Sequence, residues 1–250
     1  LVGGVRGGGG MLKIGKTELG KVPRVAISIS DREDNKSIPR ALIDILEIRV
    51  DQFKKMEPAY INDIIKTRWE IGIPLLLTVR SRKEGGEKDI PNHLKLRIFR
   101  ENIPWVDAAD IELESPILPE VIKAAKKDKK TVIVSWHNLK TTPNDKILKG
   151  ILNKAKRNGA DIIKIAAKAS KKDDLIRLAR WTIDNRSENI ITISLGDTGG
   201  ISRIAAGIFK TTSAPSAFQL IAALLPNSST VVLAGKEKLL RRICPGNFSS

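Results

Sequence analysis

Apolar positions along the chain follow two alternating patterns. Short β-branched runs occur at residues 25–30, 45–49, 75–79, 110–113, 131–135, 162–166 and 190–195. Between them lie longer stretches of helical periodicity, at 59–70, 94–103, 118–127, 143–158 and 171–184. Strands alternating with helices predict βαβ units around a parallel sheet. Local signals agree. Thr142 suits a helix N-cap with Pro143 at the first helical position, Ser170 with Asp173 forms a relative of the capping box, and Gly159 suits a helix C-terminus. Seven strands are readable. Periodicity alone leaves a (β/α)8 barrel and a doubly wound sheet both open.

Buried parallel strands should be almost wholly apolar, yet several of these carry charge near their C-terminal ends. Glu47 and Arg49 sit two apart and share a face, as do Asp110 and Glu112. Arg80 ends one run, His137 follows another, and Lys164 interrupts the run Asp-Ile-Ile-Lys-Ile-Ala. C-terminal strand ends are where barrels place their chemistry. One of these charges alone reads as an ion pair; together they predict a site. A lysine inside an apolar strand is unusual, because desolvation disfavours the ammonium and frees a nucleophilic amine that can attack a ketone. The competing reading is a lysine whose head reaches solvent at the strand end. His137 is placed for proton transfer near neutral pH, whereas His93, the other of the two histidines, is expected in a polar loop without a role.

Bulk properties narrow the partners. The 250 residues are ample for one core without staples, and the single Cys244 fits a reducing, cytoplasmic setting. No apolar run is long enough to span a bilayer, so no membrane association is expected. Two histidines and one cysteine offer no transition-metal site, and neither Gly85-Gly86 nor Gly199-Gly200 makes a nucleotide fingerprint, so neither metal nor cofactor is expected. The formal charge of +16 is spread along the chain, aromatic residues are only 4%, and no nucleic-acid-binding signature accompanies them, so nucleic acid is not the expected partner. Residues 1–10 are glycine-dominated and are expected to be a disordered extension, with Met11 as the natural start and 11–250 as one domain.

From Lys13 to Phe209 these strings, in order, resemble the type I 3-dehydroquinate dehydratase family. Pro-Arg-Val-Ala-Ile-Ser, ending at Ser28, resembles its first strand. Leu-Glu-Ile-Arg-Val-Asp supplies Glu47 and Arg49, and Thr-Val-Arg-Ser-Arg-Lys-Glu-Gly-Gly supplies Arg80 and Glu84. Ser-Trp-His-Asn carries His137, Asp-Ile-Ile-Lys carries Lys164, and Gly-Ile-Ser-Arg-Ile carries Arg203. The resemblance implies a (β/α)8 barrel and a cofactor-free hydro-lyase converting 3-dehydroquinate to 3-dehydroshikimate in the route to aromatic amino acids. It implies Lys164 as Schiff-base lysine, His137 as proton shuttle and Glu84 as their partner. Ser28, Glu47, Arg49 and Arg80 would hold the substrate, Arg203 its carboxylate, and the assembly would be a homodimer. After Phe209 the chain departs from the family pattern. Ser213 and Gln219 stand where a substrate-covering loop is expected, but with altered spacing. A helix is expected over 216–225 and the eighth strand over 229–234. Alternatives are another Schiff-base barrel of the class I aldolase kind, or an impaired copy that binds without turnover.

Overall fold

The computed structural model describes residues 12–20, 24–196 and 220–223. Eight strands form one sheet: β1 Arg24–Ile29, β2 Ile45–Arg49, β3 Leu75–Thr78, β4 Ala108–Glu112, β5 Thr131–Asn138, β6 Ile162–Lys168, β7 Ile190–Leu195 and β8 Leu220–Ala223. The order is β8-β1-β2-β3-β4-β5-β6-β7, parallel throughout, the strand sequence of a (β/α)8 barrel. Helices α1 Pro58–Trp69, α2 Asn92–Asn102, α3 Leu118–Lys127, α4 Asp145–Arg157 and α5 Lys172–Asp184 follow β2 to β6 in turn. Two 3₁₀ turns follow β1 instead.

Several expectations change; among them, the capping interaction at the start of α5 joins Lys171 with Asp174 rather than Ser170 with Asp173. Leu220–Ala223, inside the stretch read as helical, is the eighth strand and pairs with Arg24–Ile27; the proposed strand at 229–234 lies outside the described residues. Its run Leu-Ile-Ala-Ala has no polar alternation, so its periodicity could not separate strand from helix. The cap of α4 is Asn144, whose side chain accepts from the Ile147 N–H, while the Thr142 hydroxyl donates to the Lys168 carbonyl. His93 lies in the first turn of α2 rather than in a loop.

Alternation along β1 to β7 divides the core in two. Residues such as Val25, Leu46, Leu77, Ile111, Val134 and Ile165 face the helices. Ala26, Ile45, Leu76, Ala108, Ile133, Ile162 and Ile191 form an inward apolar layer toward the strands' N-terminal ends. A short hairpin, Lys13–Ile14 with Thr17–Glu18, plugs that end with Ile14 and Leu19. Gly15, at φ +54°, lies so close to Asp107 that a Cβ would sit 2.7 Å from its Oδ1. Asp44, Asp107 and Asp161, each immediately before an even-numbered strand, repeat one device. Their carboxylates accept the N–H of Val25, Leu75 and Val132 in the preceding strand, at 2.8–2.9 Å. Register is thus pinned at the closed end, leaving the opposite end free for polar side chains.

Candidate active site

Two residues further along β1 to β6, the same inward face turns polar: Ser28, Glu47, Thr78, Asp110, Ser135 and Lys164. Another step on come Arg49, Arg80, Glu112 and His137. The period-two rule makes this layering unavoidable once the apolar layer faces inward.

Lys164 is 8% exposed, so the head does not escape to solvent. Its Nζ lies 3.0 Å from Asp110 Oδ2 and 3.5 Å from Glu47 Oε1. Glu47 also accepts from the Ser28 hydroxyl and, at 2.8 Å, from Thr78. Burial opposes its ionisation, but Lys164 and Arg49 outweigh burial and hold the carboxyl below its ordinary range. Asp110 is ionised for the same kind of reason. Burial would raise it, yet Arg80 and Lys164 hold it well below the usual carboxylate range. Arg80 Nη2 reaches Asp110 Oδ1 at 2.9 Å and its Nη1 reaches Ser135 Oγ at 2.7 Å, so the guanidinium is committed to the barrel interior. Desolvation works against its charge, but Asp110, Glu112 and Glu84 keep it firmly protonated.

After β3 the chain turns through a 3₁₀ segment, Arg82–Glu84, that carries Glu84 back over the strand ends. Glu84 Oε2 lies 2.8 Å from His137 Nδ1 and accepts the His137 backbone N–H at 3.1 Å. Burial pushes Glu84 up to about 7. His137 moves the other way: burial, then Arg80 and Lys164, hold it well below its ordinary value. The imidazole is therefore neutral near pH 7, and a ring that donates from Nδ1 leaves Nε2 as a free base.

Ser28, Glu47, Lys164, Asp110, Arg80, Glu84 and His137 thus form one connected cluster. Arg49 stands at its edge, clamped by Asp51 through contacts of 2.9 and 2.8 Å. Asp51 also accepts the Arg80 N–H at 3.2 Å, tying the end of β2 to the segment after β3. Arg203, Ser213 and Gln219 lie outside the described residues. His93 is exposed and lines a separate open cleft of about 540 Å³ with Lys54, Lys55 and Arg97. Among the described residues, no three His, Cys, Asp or Glu side chains are grouped to hold a metal, and no helix is long and apolar enough to cross a membrane.

The sequence placed Asp110 and Glu112 among the strand-end charges that predict a site but gave neither an individual role. It passed over Lys95, which is buried and reaches Glu112 from α2. The signal was available: Lys95, Ile98, Phe99 and Asn102 are the buried stripe of that helix, and a lysine on such a stripe needs a partner. An amine held between carboxylates beside a neutral imidazole can form and process an imine on a carbonyl substrate.

Comparison with known proteins gives these groups a context. The family model for type I 3-dehydroquinase matches residues 25–226. The 3-dehydroquinate dehydratase of Hydrogenobaculum sp. (strain Y04AAS1) is 38% identical over 188 residues, 74% of this chain and 84% of that protein. The solved structure of the type I 3-dehydroquinate dehydratase from Clostridium difficile, with covalently modified comenic acid, superposes with a TM-score of 0.79 at 27% identity, covering 93% of this chain and 96% of that one. The 3-dehydroquinate dehydratase from Aquifex aeolicus VF5 gives 0.65 at 32% identity, covering 79% and 93%.

Proposed function

The chain belongs to the type I 3-dehydroquinase family, and on that premise we propose that it eliminates water from 3-dehydroquinate through a Schiff base on Lys164. The observation that carries this reading is the placement of Lys164 Nζ, buried on the inward face between two ionised carboxylates.

Lys164 as free amine attacks the C3 ketone. The carbonyl oxygen leaves as water after taking protons, and an iminium remains. That cation draws electrons from the C2–H bond. His137 Nε2 takes the C2 proton to give an enamine, whose electrons expel the C1 hydroxyl as His137 returns the proton to it. Water then hydrolyses the conjugated iminium to 3-dehydroshikimate and frees Lys164. Glu84 fixes the imidazole ring through Nδ1 and shares its proton. Ser28, Glu47, Arg49 and Arg80 orient the substrate, directly or through one another. Arg203 pairs with its carboxylate, where a planar fork suits bidentate binding, and Ser213 and Gln219 belong to the covering segment. No cofactor takes part. Residues 11–250 belong to one barrel domain, in which the sequence departs from the family pattern after Phe209. The protein is cytoplasmic and homodimeric, and it acts on a small molecule rather than nucleic acid.

The test is an absorbance assay for the conjugated enone of 3-dehydroshikimate on purified protein, with borohydride trapping and mass mapping. Turnover with the reduced adduct on Lys164 is expected. Turnover with the adduct on another lysine, or no turnover with 3-dehydroquinate, overturns the reading.

A further inference from the structure

Asp110 is fully withdrawn from solvent in its side chain, and its two oxygens are divided between tasks. Oδ1 is fixed by Arg80 Nη2 at 2.9 Å and by the Ser135 hydroxyl at 2.5 Å. Oδ2 faces Lys164 Nζ at 3.0 Å, the shortest ion-pair distance that this ammonium makes among the described residues. A carboxylate anchored through one oxygen cannot follow its partner away. Its charge therefore stays beside the nitrogen when the ammonium has given up its proton and the nitrogen has become part of a C=N bond.

We propose that Asp110 is the counter-ion of the Schiff base: it holds the imine in the protonated, electron-withdrawing form on which C2–H cleavage depends. This rests on the Schiff-base reading of Lys164 and adds to it a catalytic residue that touches the reacting nitrogen. The balance is simple. Amine, ketone and one proton give an iminium and water; loss of the C2 proton to His137 then gives a neutral enamine. A neutral imine in place of the iminium would be a poor electron sink, and the second step would stall. Coulomb attraction at ~3 Å in a shielded interior is large enough to decide which form prevails. Among the described residues, the other titratable or charged groups around this ion pair are Glu47 from β2, the Arg80 guanidinium from β3 and the neutral His137 imidazole from β5. Glu47 is the rival, but it stands 3.5 Å away, and the same Oε1 is shared with Thr78. From β7 the neighbours are Ile191 and Ile193.

The experiment compares Asp110→Asn with wild type in two readouts. One is the alkaline limb of the kcat–pH profile. The other is the fraction of Lys164 trapped at pH 8 by cyanoborohydride, which reduces iminium in strong preference to neutral imine. Asp110→Asn should move the limb toward acid by ~1 pH unit or more and cut trapping about tenfold, since one unit is a tenfold change in protonation. A folded Asp110→Asn with an unmoved limb and wild-type trapping overturns the proposal, as does a larger shift in Glu47→Gln. A merely structural role would lower kcat at every pH without moving the limb. Should Asp110→Asn fail to fold, Ser135→Ala loosens the same oxygen and should move the limb in the same direction by less; no movement there overturns the proposal too. Wild-type protein that forms no adduct on Lys164 fails at the earlier step, and the two failures are thereby told apart.

Discussion

Glu84 Oε2 meets both the Nδ1 and the backbone N–H of His137, so one carboxylate oxygen fixes a side chain and the strand that carries it. The pair is tuned in opposite directions, the acid upward and the imidazole downward. Groups displaced in this way are matched for proton transfer near neutrality.

That tuning has a stability signature. Glu84 is raised from 4.5 to about 7, so the folded state favours its protonated form. Its contribution is complete below pH 4.5 and is lost as the pH rises through 7. Glu84→Gln has no carboxyl to ionise. Its melting temperature should therefore rise relative to wild type between pH 4.5 and 8, while kcat falls about tenfold or more through loss of the tuned partner. Thermal melts in a pH series check the first part. A constant difference across that range contradicts it.

His137→Ala should lower kcat by ~10²-fold or more, the usual loss for a general acid–base. Lys164 remains, so borohydride should still trap substrate on it. His93→Ala should leave turnover unchanged, because His93 is exposed on α2 away from the cluster. Steady-state rates and intact mass of the trapped protein separate the two.

Gly86 is a steric requirement. A Cβ there would lie 2.2 Å from the Arg80 carbonyl oxygen, and its N–H closes the turn on Ser81 O at 2.8 Å. Gly86→Ala must displace the backbone that carries Glu84, costing about 1–3 kcal/mol of stability, the usual range for overpacking. Activity should fall at temperatures where the protein is folded. Gly150→Ala, in α4 with open space around it, should instead stabilise by roughly 0.5–1 kcal/mol and leave kcat alone. Denaturant unfolding with parallel kinetics tests both.

Asp107 offers the opposite separation. Its carboxylate caps the Leu75 N–H at the closed end, far along the strand from Lys164's layer. Asp107→Ala should cost roughly 1–3 kcal/mol by leaving that donor unsatisfied, with KM and kcat at wild-type values below the melting transition. A changed KM would mean that the two ends of the barrel are coupled.

Much of this was legible in the residues. Lys164, His137 and Arg80 stood out because charge inside an apolar strand is costly unless it is used. Glu47 and Arg49 followed from a spacing of two. What escaped was set by tertiary context. Nothing local says that Asp110, rather than Glu47, is the nearer partner of Lys164, because they come from different strands. Leu220–Ala223 escaped because four apolar residues carry no period to read. The hairpin over Lys13–Glu18 escaped because two-residue strands lie below the length at which alternation shows.

The pairing of Leu220–Ala223 with Arg24–Ile27 also sets a clock. Ribosomes deliver β1 well before its partner, so one edge of β1 waits with unpaired backbone groups while β2 to β7 are made. The first strand can accept β2 soon after emergence but cannot be finished until Leu220 is made. During that interval the nascent barrel is an open sheet with an edge that a neighbouring chain on the same message could occupy. Translation speed and chaperone cover over the stretch between Ile27 and Leu220 therefore bear on yield as much as the finished fold does.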